Sequence, residues 1–251
     1  VAGELYSGGF VGRAEKLLDI YNSKNKGELA GKHNGGFVGY SDTVGIVSIR
    51  ASVNEALFTV SKNFKDSTRN GGVAAIGMGE WTVEDFVNKS DISGMYAGGF
   101  FGWFRSFESY TGGKGWVKSS FKIRNSINEG NIGSLLDTTG YVLGGIVGTL
   151  YSSYDDYQLS DLDRNLITNV VNKGNIYGSR KAYQMGGIVG HNKYSWLFID
   201  GVENYGNIEN QNVNYIYVGG ILGYGNGIDS VVNSANYGNI NLSGDDNDAD
   251  V

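Results

Sequence analysis

Short apolar runs alternate with glycine and asparagine along this chain. "GGIVG" at Gly144–Gly148 and again at Gly186–Gly190 sets bulky aliphatics between glycines. The same arrangement reads "GGFVG" at Gly8 and Gly35, "GGFFG" at Gly98 and "GGILG" at Gly219, with a looser "GGVAAIG" at Gly71. Each run is bounded by breakers and is too short for a helix, so it predicts a short, largely buried strand. Between these phrases lies a second one, Asn-x-Gly-polar-aliphatic. It reads "NKGEL" at Asn25, "NKSDI" at Asn88, "NEGNI" at Asn128, "NKGNI" at Asn172, and "NYGNI" at Asn204 and Asn236, with "NEALF" at Asn54 as a decayed remnant. In "VVNKGNIYG" apolar residues flank an Asn-Lys-Gly-Asn turn, which predicts strand, corner, strand. Helical periodicity is poor and confined to "VGRAEKLLDIY" at 11–21 and "EWTVEDFV" at 80–87.

The glycine phrase occurs seven times, at intervals of 27, 36, 27, 46, 42 and 33 residues. Recurrence on this scale marks solenoids, propellers and arrays. A β/α barrel needs a helix in every unit, and propeller blades need four antiparallel strands with hairpin signals. The glycine and asparagine punctuation fits neither and favours a parallel β-solenoid of about seven irregular repeats. It is expected to form a single domain over 1–244, with insertions near 103–118 and 149–165 and an acidic tail at 245–251.

In stacked coils, equivalent residues lie about 4.8 Å apart. Ile132, Ile176, Ile208 and Ile240 would then form an internal aliphatic ladder, extended by Leu29 and Ile92. Asn128, Asn172, Asn204 and Asn236 would form an amide ladder at a corner, since Asn tolerates the left-handed conformation. The glycines that follow, Gly174, Gly206 and Gly238 among them, would supply positive φ there, while Gly144, Gly145 and Gly148 typify the other anchor.

Composition agrees. The chain has 251 residues, with 41 Gly, 26 Asn and no Pro, where ordinary usage is about 7% Gly and about 5% Pro. Proline removes a ladder donor, so its absence suits stacked strands. A net charge of −6 without a basic stripe argues against nucleic acid as a partner. No apolar run approaches the roughly 20 residues of a membrane span. Without Cys there are no disulfides and no thiolate chemistry.

"GGIVG" with "NKGNI" or "NYGNI" resembles the GLUG-type repeat, with matches from Gly8 to Ile240 that are tightest from Asn125 onward. The resemblance implies right-handed parallel β-helical repeats of large bacterial surface and secreted proteins. Such repeats also occur in non-catalytic regions of proteases that cleave immunoglobulin A. It therefore implies an extracellular or cell-surface setting and a host or neighbouring-cell protein or glycan as partner. Protease chemistry is not carried over: zinc peptidases of that kind need His-Glu-x-x-His, and neither His33 nor His191 is followed by Glu. The opening "AGELYSGGFVG" mirrors "KGELAGKHNGGFVG" at 26–39, so the chain begins in mid-repeat and is expected to be a fragment whose ends could associate end to end.

Candidate chemistry is sparse. "GYGNG" at Gly223–Gly227 lacks the spacing of a phosphate loop. Asp246, Asp248 and Asp250 alternate as in calcium loops, but no complete loop follows. No cofactor is expected. The residue before the ladder aliphatic is Glu28, Asp91, Asn131, Asn175, Asn207 and Asn239 in turn, so the regular repeats carry amides rather than paired acids there.

The insertions carry the candidate ligand surface: Trp103, Phe104, Arg105, Phe107, Tyr110 and Trp116 in one, and Tyr151, Tyr154, Asp155, Asp156 and Tyr157 in the other. Such residue types suit recognition surfaces and the stacking of sugar rings, although the same aromatics could simply cover the outer flank of a coil. The expected function is a non-enzymatic adhesive or spacing scaffold. The rival is a β-helical polysaccharide lyase or glycosidase, with Asp155 or Asp156 paired to Asp161, Asp163 or Glu203. A third reading is a filament subunit.

Overall fold

The computed structural model describes residues 5–43, 45–60, 67–111, 115–136, 140–152, 165–179, 181–211 and 216–243. Within them the chain is all β, laid out as parallel sheets in a solenoid-like stack. The first sheet has seven strands, in the order Tyr6–Gly8, His33–Gly35, Arg69–Gly71, Tyr96–Gly98, Val142–Gly144, Gln184–Gly186 and Tyr217–Gly219. The second also has seven: Val11–Ala14, Val38–Ser41, Ala74–Gly77, Phe101–Arg105, Val147–Tyr151, Val189–Lys193 and Leu222–Gly225. A third sheet runs from Leu17–Tyr21 to Ile228–Val232. A fourth joins Ile132–Gly133, Ile176–Gly178, Ile208–Asn210 and Ile240–Leu242, while Glu28–Gly31 and Leu57–Val60 form a separate pair.

Register ties the sequence phrases together. Gly8, Gly35, Gly71, Gly98, Gly144, Gly186 and Gly219 pair in one column across the first sheet. Asn54 pairs with both Asn25 and Asn88, so the decayed phrase keeps its place. The two weakly helical stretches are strands instead, at Val11–Ala14, Leu17–Tyr21 and Glu80–Glu84. Their burial explains why: Ile20, Trp81 and Val83 face inward while Leu17, Tyr21 and Glu80 are exposed, a period of two that a helix cannot match.

Several interior columns repeat a side-chain type. Ile20, Ile49, Val83, Ile123, Ile167, Ile199 and Val231 follow one another across the third sheet. Ile92, Ile132, Ile176 and Ile208 are buried in a second cluster, as the expected ladder requires, whereas Ile240 at its end is half exposed. Full burial of such side chains contributes about 1.5–3 kcal/mol each.

The amide ladder is present. Asn54, Asn88, Asn128, Asn172 and Asn204 each donate Nδ2–H to the Oδ1 of the next asparagine, at 2.7–2.8 Å, ending on Asn236. Its backbone placement differs from expectation. These asparagines lie in strands, and the left-handed corner comes three residues earlier, at Asn22, Ala51, Asp85, Asn125, Asn169, Gly201 and Asn233, with φ between 47° and 62°. The glycines after the ladder are required by close approach rather than by φ: a Cβ on Gly130, Gly174, Gly206 or Gly238 would strike the carbonyl of the level before it. The double glycine has the same cause. A Cβ on Gly99 would meet the Gly145 carbonyl and lie 2.6 Å from Asn128 Cγ.

The first insertion begins later than the sequence implies. Trp103, Phe104 and Arg105 belong to the regular strand Phe101–Arg105. Only then does Phe107–Thr111 leave the stack and pair antiparallel with the start of Gly115–Asn128 as a hairpin. Val147–Tyr151 is likewise regular, and residues 153–164 lie outside the described residues.

Candidate functional site

The glycine phrase that builds the stack also builds a groove on its surface. At its third glycine the second sheet presses against the first: a Cβ on Gly102 would lie 2.6 Å from Asn70 N and 2.7 Å from Asn70 O. The pairing of Phe101–Arg105 with its neighbours skips Gly102. Phe101 and Phe104 both face the core as a result, while Trp103 is half-buried and Arg105 exposed. Residues directly after the third glycine thus meet residues that stand two places before the double glycine. Tyr6 lies 4.9 Å from Tyr40, Tyr96 lies 4.9 Å from Trp103, and Tyr217 lies 4.6 Å from Tyr224.

The middle of this row is aromatic and cationic. The Arg69 guanidinium stacks over the Trp103 ring at 4.3 Å and reaches Tyr96 at 5.6 Å. Trp103 lies 5.8 Å from Tyr151, and Lys193 Nζ lies 5.3 Å from the centre of the Tyr151 ring. Arg105, Tyr151 and Lys193 occupy one register column on three successive levels. A hollow of about 520 Å³ opens here, lined by Tyr6, Tyr40, Arg69, Trp103, Arg105 and Tyr151 together with Ile76 and Met78, with no carboxylate among its described lining residues. Burial raises the Tyr96 hydroxyl pKa against the opposing pull of Arg69. Desolvation likewise raises that of Tyr183 further along the row, helped by its hydrogen bond with Tyr141.

This row corrects the expected ligand surface. Trp103, Arg105 and Tyr151 come together on it. Phe104 and Phe107 do not, because both are buried; Phe104 packs between Phe101 and Phe121 at 5.2 and 4.9 Å. Tyr110 and Trp116 are backbone partners in the hairpin, and their side chains lie outside what the structure describes. Tyr154, Asp155, Asp156 and Tyr157 lie outside the described residues, as do Asp161 and Asp163. Glu203, the remaining partner proposed for the acids, accepts a hydrogen bond from the Tyr205 hydroxyl at 3.0 Å. Tyr6, Tyr40, Arg69, Tyr96 and Lys193 were not singled out from sequence. Their signal was positional, in offsets of −2 and +5 from the first glycine of each phrase for all but Lys193.

Several described carboxylates elsewhere are engaged structurally. Asp91 accepts the Asn131 backbone N–H at 2.7 Å, and the oxygens of Asn131, Asn175 and Asn207 repeat that bond up the stack. A larger cleft of about 740 Å³ opens where the fourth sheet is interrupted, between Leu57–Phe58 and Ile92–Leu136. Its Glu55 is bound to Lys24 at 2.8 Å and lies 3.7 Å from Lys89, which holds its carboxyl pKa below the usual range. No group of three metal-ligating side chains occurs among the described residues, nor does any helix long and apolar enough to cross a membrane.

No protein-family model, curated protein or solved structure matches the chain.

Proposed function

We propose that this chain is a non-enzymatic segment of an extracellular bacterial surface protein, coiled as a right-handed β-helix of seven turns and serving as an adhesive scaffold. The GLUG-type phrasing supports the handedness and the setting. The aromatic and cationic row at Arg69, Trp103, Arg105 and Tyr151 is the observation that carries the adhesive reading. Stacked rings beside cations, held on rigid strands, form the kind of preorganised contact surface that binds without large ordering costs. The ladder carboxylates and amides are engaged in holding levels together, which supports a scaffold role for the remainder.

The reading is tested by incubating the chain with panels of glycans and peptides, following both retention and product release. Retention without turnover is expected, and retention should fall when Trp103 is replaced by Ala. Product release abolished by substituting Asp155 and Asp156 would establish the lyase or glycosidase instead.

A further inference from the structure

The cleft beside the interrupted fourth sheet marks a missing rung. From the third level upward, each ladder isoleucine donates its N–H to the carbonyl just before the next one. Ile92 donates to Asn131, Ile132 to Asn175, Ile176 to Asn207 and Ile208 to Asn239, all at 2.8 Å. The equivalent pair one level down is Phe58 and Asp91, and no bond joins them among the described residues. Residue chemistry differs at the same place. Higher up, the side-chain oxygens of Asp91, Asn131, Asn175 and Asn207 each accept the N–H of the residue above. Beneath Asp91 the equivalent residue is Leu57, which has no side-chain oxygen to offer.

The strand Leu57–Val60 therefore pairs on one side only. Leu57 N–H donates to the Gly27 carbonyl at 3.0 Å, on the side of Glu28–Gly31. Successive residues of a parallel strand turn their N–H and C=O to opposite neighbours, so those of Phe58 face the cleft as an open edge. Ile92 uses its own N–H and C=O on Asn131 and Gly133, which leaves the main chain of Asp91 facing back. Leu57 and Leu136 flank the opening, 61% and 95% exposed. The carboxylates that line it are engaged: Glu55 with Lys24 and Lys89, and Asp91 with the Asn131 N–H.

From this we infer that the cleft takes an extended, uncharged peptide segment of a partner protein, added as a strand to the open edge of Leu57–Val60. Its aliphatic side chains would cover Leu57 and Leu136. A peptide backbone complements a line of alternating donors and acceptors, whereas an acyl chain would cover the leucines and leave that edge unpaired. This surface lies apart from the row at Trp103 and does not depend on how that row is read.

Fluorescence anisotropy of a labelled, end-blocked hexapeptide alternating valine and serine tests it. Two analogues are compared, N-methylated at the valines or at the serines. The parent peptide should bind, and at least one analogue should lose affinity about tenfold, because a strand bonds each neighbour through alternate residues. Loss in both would mean that the peptide also bonds Asp91. Leu57→Ala and Leu136→Ala should each weaken binding about threefold; both side chains are exposed, so folding is kept. Trp103→Ala should leave binding unchanged. Undiminished binding of both analogues would overturn the strand pairing, and binding unchanged in both leucine variants would place the peptide outside the cleft. Loss in Trp103→Ala alone would move it to the aromatic row. No binding of the parent peptide would overturn the inference and leave the adhesive reading untouched.

Discussion

At the residue scale, the ladder asparagines hold the stack by a bond made only between levels. Asn128 is fully buried, donates to Asn172 at 2.8 Å and to the Gly130 carbonyl at 2.8 Å, and accepts from Asn88 at 2.7 Å. Asn128→Ala removes the acceptor of one buried Asn88 N–H, which keeps only its bond to the Ser90 carbonyl, and the donor to the Gly130 carbonyl. Urea denaturation should show a loss of roughly 2–4 kcal/mol. Asn236→Ala, at the exposed end of the same ladder, should cost under about 1 kcal/mol. Two titratable groups in the last levels act in opposite senses. Burial pushes the His191 imidazole pKa down to about 4 from an ordinary 6.5. The folded state then binds fewer protons than the unfolded chain. Stability is complete above pH 6.5 and falls between 6.5 and 4, by roughly 2 kcal/mol. His191→Gln should flatten that part of a melting-temperature profile. Asp229 occupies an inward column behind Leu197, and burial raises its carboxyl pKa although Asn192 donates to it at 2.6 Å. The cost is present at neutral pH and is relieved on acidification. Asp229→Asn should therefore stabilise the protein at pH 7, by up to about 1 kcal/mol.

At the scale of the element, every level turns the same corner in a left-handed conformation. Asn, Asp and Gly fill it at six levels, and Ala51 is the exception, with φ of 48°. An alanine there bears the Cβ–carbonyl clash that Gly201 avoids at the equivalent place. Ala51→Gly should raise the denaturation midpoint by an amount equal to about 0.5–1 kcal/mol, despite the greater freedom it gives the unfolded chain. This corner was legible in the sequence only as composition. The asparagines of the repeated phrase drew attention to the wrong position, because ladder and corner asparagines share a residue type and differ only in burial. The site was partly legible for a similar reason. Trp103, Arg105 and Tyr151 stood out as aromatic or charged interruptions of the repeat, but Phe104 next to them was indistinguishable until the skipped pairing at Gly102 turned it inward.

For the whole molecule, stacking makes stability a sum over neighbouring levels. Ile132, Ile176 and Ile208 are covered on both sides, whereas Ile240, Val231 and Tyr237 in the last level are 42%, 44% and 60% exposed. Native-state hydrogen exchange should find the slowest amides around Ile123, Ile167 and Ile176, with protection falling toward Ile228–Val232 and Ile240–Leu242. Uniform protection from end to end would show the levels to unfold as one unit.

The sequence by itself determined the repeated element, its strand character and which aliphatics and asparagines stack. These follow from local steric and hydrophobic preferences that recur at every level. Only the tertiary structure decided where the backbone turns left-handed, which aromatics are core, and that Arg69, Trp103, Arg105 and Tyr151 share one groove. Those outcomes depend on how neighbouring levels meet: a Cβ that cannot fit beside a carbonyl, and a strand that skips one pairing. Neither contact lies between residues that are neighbours in the chain.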